Sequence, residues 1–124
     1  MIFYLSAKYM YRDALLPIAA KLFMAGHTVQ AEWIRGFQDE SNTEHEYRKS
    51  IAYKDLQDVM ACDAFVLFNF PIGDPAPSSG RHVEFGYALA TGKRTIVVGS
   101  THCVFATITT EQYDTVEQFL TKYA

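Results

Sequence analysis

Apolar positions along the chain change period several times, and each change predicts an element. Residues 2–6 (IFYLS) form a short aromatic and β-branched run bounded by polar residues, which predicts a buried first strand. Over 12–25, Leu15, Leu16, Ala19, Leu22 and Phe23 recur at helical spacing and Gly26 supplies the stop. Pro17 would be easier to place if that helix began close to it. Residues 28–34 (TVQAEWI) read as a second strand, and the polar stretch 35–46 as a long loop or lid with a solvated acidic surface. A second helix is expected over 47–61, with Ile51, Ala52, Leu56, Val59 and Met60 on one face and Asp55 in the middle of it. The run 64–70 (AFVLFNF) is continuously apolar, as a central parallel strand covered on both sides should be. A Pro- and Gly-rich loop then leads into a helix over 80–91 that stops at Gly92. Residues 95–100 (TIVVGS) give another buried strand, and a last short strand is expected around 106–109. Capping-box spacing over 114–117 opens a final helix running to residue 124.

Alternation of short buried strands with helices predicts a parallel sheet with helices on both faces. The expected architecture is a flavodoxin-like (Rossmann-like) three-layer α/β sandwich, its five-stranded parallel sheet ordered 2-1-3-4-5. A chain of 124 residues suits one domain over 1–124. In such sheets ligands bind at the carboxyl ends of the strands where strand order reverses. Here the loops after strands one and three meet at that point, joined by the segment that follows strand two at Trp33.

The most chemically distinctive stretch is 77–93, PSSGRHVEFGYALATGK. A helix opening on Ser78, Ser79 and Gly80 offers free backbone N–H groups, hydroxyls and the positive end of its dipole to an anion. Glu84 lies one turn inside, where that partial positive charge is expected to keep its carboxylate ionised, available as nucleophile or base. Asp55, on an apolar helix face, is the second signal, because a carboxylate buried without a partner is costly. It can be a structural acid that caps or pairs with a Lys, or a site carboxylate working with Glu84. Two carboxylates converging on one site are what glycosidic-bond chemistry uses. Tyr4 and Trp33 can hydrogen-bond and stack on a base, or simply be aromatic core. Asp58 is expected to face solvent, and Asp63 to begin the third strand or cap the helix before it.

The remaining composition narrows the partners. A net charge of −3 lacks the basic surplus that a polymeric nucleic acid requires, whereas a mononucleotide needs only a local site. Cys62 and Cys103 lie far apart without CxxC spacing and are read as reduced. His27, His45, His82 and His102 share no ligand spacing, so no metal site is expected. Neither Ser78 nor Ser79 sits in a G-x-S-x-G elbow, and both suit anion binding better than attack. The N-terminal apolar run is too short for a signal sequence or a membrane span, so a cytoplasmic protein with no membrane partner is expected.

Tyr4 with the small Ala7 after strand one, Asp55-Leu56 followed by Asp63, and GRHVEFGYALATGK with its E-x-G-x-A core resemble nucleoside 2-deoxyribosyltransferases and the related 2'-deoxynucleoside 5'-monophosphate N-hydrolases. The resemblance covers residues 1–8 and 50–99. It implies that Glu84 is a nucleophile forming a covalent deoxyribosyl-enzyme, that Asp55 assists the leaving base, and that Tyr4 positions the nucleophile. It implies close packing of the helix on the sheet at Gly86 and Ala88, no cofactor, and a nucleoside or nucleotide substrate bound in part by Ala7, Lys8, Trp33, Ser78, Ser79 and Gly80. The transferases carry an Asp six residues before the nucleophile for the sugar 5'-hydroxyl, and the N-hydrolases a Ser for a 5'-phosphate; this chain has Ser78, with Arg81 and Lys8 as possible helpers. Members of the family contribute a polar side chain from the segment matching 100–108 to a neighbouring subunit, so a homodimer or higher homo-oligomer is implied, with His102 and Cys103 near that position. The alternative kept beside this reading is a module that binds a nucleotide in the same pocket without cleaving it.

Overall fold

The computed structural model describes residues 1–36, 38–39, 41–69, 80–99, 101 and 103–124. Five strands, β1 (Ile2–Ser6), β2 (Thr28–Val29), β3 (Ala64–Phe68), β4 (Arg94–Val98) and β5 (Glu111–Tyr113), form one parallel sheet in the order β2-β1-β3-β4-β5. Helices α1 (Arg12–Met24) and α4 (Val116–Tyr123) pack together on one face, and α2 (His45–Ala61) and α3 (Gly80–Ala90) on the other. The three-layer architecture is the expected one. Side chains alternate across β1 as the pleat requires. Phe3 meets Phe119 and Tyr123 of α4, whereas Tyr4 stacks on Phe65, which stacks in turn on Phe85 of α3. Gly26 and Gly92 end α1 and α3 with φ of 95° and 73°, a backbone that favours glycine.

Several boundaries differ from the sequence reading, each for a local reason. β2 stops at Val29 instead of running to Ile34. The Glu32 N–H donates to the Asp58 carboxylate at 3.1 Å rather than to a strand, and the chain turns into a 3₁₀ segment, Glu32–Arg35. The strand expected at 106–109 is a 3₁₀ turn, Val104–Ile108, and β5 begins only at Glu111. There Thr107 and Thr109 hydroxyls donate to the Val104 and Ala106 carbonyls, local bonds that compete with a ladder. The α4 capping box is one residue later than expected: Thr115 Oγ1 accepts from the Gln118 N–H, and Gln118 answers. α2 starts at His45 because the Glu44 carboxylate caps Glu46 and Tyr47.

The buried faces are also narrower than the periodicity suggests. α1 buries Leu15, Ile18 and Leu22, leaving Leu16 and Phe23 exposed, and continues through Pro17. α2 buries Val59 but exposes Ala52 and Met60. Asp58, expected in solvent, is 1% exposed: it accepts from Gln30 Nε2 and the Glu32 N–H and pairs with Lys54 at 3.1 Å. Its position opposite the β2 exit decides this, since the carboxylate satisfies backbone that the shortened strand leaves open. Asp63 accepts from the Ile2 N–H at 2.8 Å and so ties the start of β3 to β1. Cys62 and Cys103 are free thiols, Cys62 buried. Among the described residues no helix is long and apolar enough to cross a membrane.

Candidate active site

The site is built where β1 meets α3. Tyr4 and Ser6 are two residues apart on one strand and therefore point to the same face of the sheet, toward α3. Glu84 sits one turn into α3, facing them. The Tyr4 hydroxyl donates to Glu84 Oε2, and the Ser6 hydroxyl donates to Oε1 at 2.9 Å. Each oxygen of one carboxylate thus has its own hydroxyl donor, and both donors are fully buried.

Burial pushes the Glu84 carboxyl up to about 7, and the negative charge of Asp55 adds to the rise, while the hydrogen bonds from Tyr4 and Ser6 oppose it. The expectation that the helix dipole keeps Glu84 ionised is therefore corrected. One turn inside α3 the carboxylate is shut away from water, and that burial is the largest cause of the rise. The Tyr4 phenol is held well above its ordinary range, first by burial and then by the charges of Glu84 and Asp55, so it stays protonated and remains a donor.

Asp55 approaches from α2 across a cleft. A lobe of about 300 Å³ is lined by Gln38, Asn42, Arg48, Asp55, Val83 and Glu84, among others. A second lobe of about 220 Å³ is lined by Ala7, Tyr9, Trp33 and Arg81. Gln38, Asp55, Gly80 and Glu84 belong to both, so the two carboxylates stand at the junction. Gln38 Nε2 donates to Asp55 Oδ1 at 2.8 Å, and the Tyr9 hydroxyl donates to the Gln38 carbonyl at 3.1 Å. Trp33 is 5% exposed, its indole N–H donates to the Leu5 carbonyl at 3.0 Å, and its ring lies 6.2 Å from that of Tyr9. The second lobe therefore has an aromatic wall next to an amide and a carboxylate, a lining that can accept a planar ring.

Of the residues singled out from sequence, the structure brings Tyr4, Ala7, Trp33, Asp55, Gly80 and Glu84 together at this junction. Lys8 is buried beside them without lining either lobe. Ser78, Ser79 and His102 lie outside the described residues. Gly86, expected to allow close packing, has open space where a Cβ would stand, whereas Ala88 is buried against the sheet. Sequence reasoning missed Ser6, Tyr9 and Gln38. Ser6 was visible in principle, since i and i+2 on a strand share a face; Gln38 sits in an irregular loop and carries no such signal.

No family model matches the chain, and no curated protein matches it in sequence. Solved structures do match in shape. A 2-deoxyribosyltransferase from the psychrotolerant bacterium Bacillus psychrosaccharolyticus superposes over 100% of this chain and 93% of its own, with a TM-score of 0.79 and 18% identity. The Clostridium botulinum CMP N-glycosidase BcmB covers 98% and 97%, with a TM-score of 0.61 and 18% identity. A conserved protein from Enterococcus faecalis V583 matches 82% of this chain and 65% of its own, at a TM-score of 0.58 and 19% identity. At such identities the likeness is one of fold: this chain has the α/β fold on which a 2-deoxyribosyltransferase and a CMP N-glycosidase are built.

Proposed function

We propose that the protein cleaves the N-glycosidic bond of 2'-deoxyribonucleosides or their 5'-monophosphates, with Glu84 as nucleophile. In the first step a lone pair of the Glu84 carboxylate forms a bond to the anomeric carbon. The bond from that carbon to the base nitrogen breaks, and its electron pair leaves with the base. A proton supplied at Asp55 or from water neutralises the departing base. Water or a second base then attacks the same carbon and releases Glu84, giving hydrolysis or transfer respectively. A 2-deoxy sugar suits this route, because it lacks the electron-withdrawing hydroxyl that would destabilise the oxocarbenium-like transition state.

The observation that carries the reading is the doubly held Glu84 carboxylate at the junction of two lobes, with Asp55 across from it. Support comes from the shared fold of a deoxyribosyltransferase and an N-glycosidase, and from the aromatic wall of Tyr9 and Trp33. Gly80, the first residue of α3, lines both lobes, so the 5' group of a substrate would meet the amino end of that helix. Chromatography of incubations with each common deoxynucleoside and deoxynucleoside monophosphate should show released base, and an added acceptor base distinguishes transfer from hydrolysis. Inertness toward every such substrate would reject the reading. Because Glu84 must lose its proton to attack, kcat/KM should rise with pH through a limb near 7.

A further inference from the structure

We propose that Ser6 is a positioning residue for Glu84: its hydroxyl orients the carboxylate and holds it in the ionised form that can attack. The inference rests on the reading of Glu84 as nucleophile and adds a residue to it. Ser6 closes β1, is fully buried, and donates to Oε1 at 2.9 Å while Tyr4 occupies Oε2. With one donor on each oxygen, the plane of the carboxylate is fixed against rotation about its last bond, and a lone pair keeps one direction. Tyr4 alone would leave Oε1 free to swing.

The charges around Glu84 show why a second donor matters. From α2, Asp55 and Asp58 both disfavour a further negative charge. β3 presents apolar side chains to the middle of the sheet, and β4 presents Ile96, Val97 and Val98 beside the buried, uncharged Thr95. Arg81 lines the second lobe with Glu84, but its Nη1 is turned to the Phe68 carbonyl at 3.3 Å. His82 precedes Glu84 on the same helix, and burial and Arg81 hold it below its ordinary range. Asp39 and Arg48 also line the first lobe, and Lys8 is buried after β1. Against burial and two acids, the hydroxyls of Tyr4 and Ser6 are the donors seen on the Glu84 oxygens among the described residues. A hydroxyl bonded to a carboxylate favours its charged form.

The test is the series wild type, Ser6→Cys and Ser6→Ala, in which the side chain keeps nearly its volume while the donor weakens and then vanishes. The Glu84 carboxyl is followed by carbon NMR titration, with Glu84→Gln to assign its signal. In Ser6→Ala the midpoint should move up by about one pH unit, with Ser6→Cys between. The acid limb of kcat/KM should move with it, and kcat at neutral pH should fall about tenfold while KM changes little. A midpoint that stays at the wild-type pH in Ser6→Ala overturns the proposal. So does a loss of activity that is uniform across pH, the mark of a merely structural serine. If no variant, wild type included, releases base, the glycosidase reading fails while the NMR midpoint still decides the role of Ser6.

Discussion

Two glutamates, one on each face of the sheet, each accept from two hydroxyls, yet their charged surroundings are opposite. Glu111, on the α4 side, accepts from Tyr113 at 2.5 Å and from Tyr123 at 2.7 Å, and is ion-paired with Arg94. Its charge is met by a cation, and the cluster clasps β4, β5 and the end of α4. Glu84, on the α3 side, accepts from Tyr4 and Ser6 and has Asp55 as its charged neighbour. Hydroxyls alone orient a carboxylate without neutralising it. On the proposed function a carboxylate so held keeps its reactivity, and the fold keeps the cost of burying it.

The comparison is broken most sharply by Glu84→Ala. It should reduce base release on the order of 10³-fold or more while leaving the circular dichroism spectrum and cooperative melting intact. Glu111→Ala should leave kcat nearly unchanged. Asp55→Asn comes next, with a loss of about 10²-fold that shrinks for substrates whose base leaves easily, since those need least help at the leaving group. The same substitution removes a charge that raises the Glu84 carboxyl, so the acid limb of kcat/KM should move to lower pH.

Stability separates the two glutamates by sign. The Glu84 carboxyl lies near 7 in the folded chain and near 4.5 when unfolded, so between those values the native state binds more protons than the unfolded one. Its ionisation therefore costs stability progressively as pH rises through that window. Glu84→Gln should raise the unfolding free energy above pH 7 by up to about 3 kcal/mol, with the gain fading toward pH 4.5, as urea titrations at several pH values can show. Glu111→Gln should do the reverse at neutral pH and cost about 1 kcal/mol, a modest figure because Arg94 is substantially exposed. If both substitutions moved stability in the same direction at pH 8, the contrast between the two sites would fail.

Much of this was legible along the chain. The runs 2–5 and 64–68 are apolar without interruption, the mark of central parallel strands. Glu84 and Asp55 stood out because each puts a carboxylate on an element otherwise suited to burial. The edges were less legible. β2 and β5 are short because side-chain bonds from Asp58 and the threonines of 107–110 take the place of ladder bonds, and no period of hydrophobicity records such competition. Asp58 was misread for the same reason: two of its partners, Gln30 and Glu32, are far from it in sequence.

The sequence by itself determined the order of strands and helices, and it pointed to the carboxyl ends of the strands and to Glu84 and Asp55 as candidate acids. All of these follow from periodicity and from the chemistry of single residues. Only the tertiary structure decided the surroundings of Glu84. A carboxylate's proton affinity depends on water exclusion and on the groups within a few ångströms, and in Glu84 these come from a strand about eighty residues earlier. That is why the helix opening suggested a charged glutamate, while the fold makes one poised near neutral pH between two hydroxyls and an opposing acid.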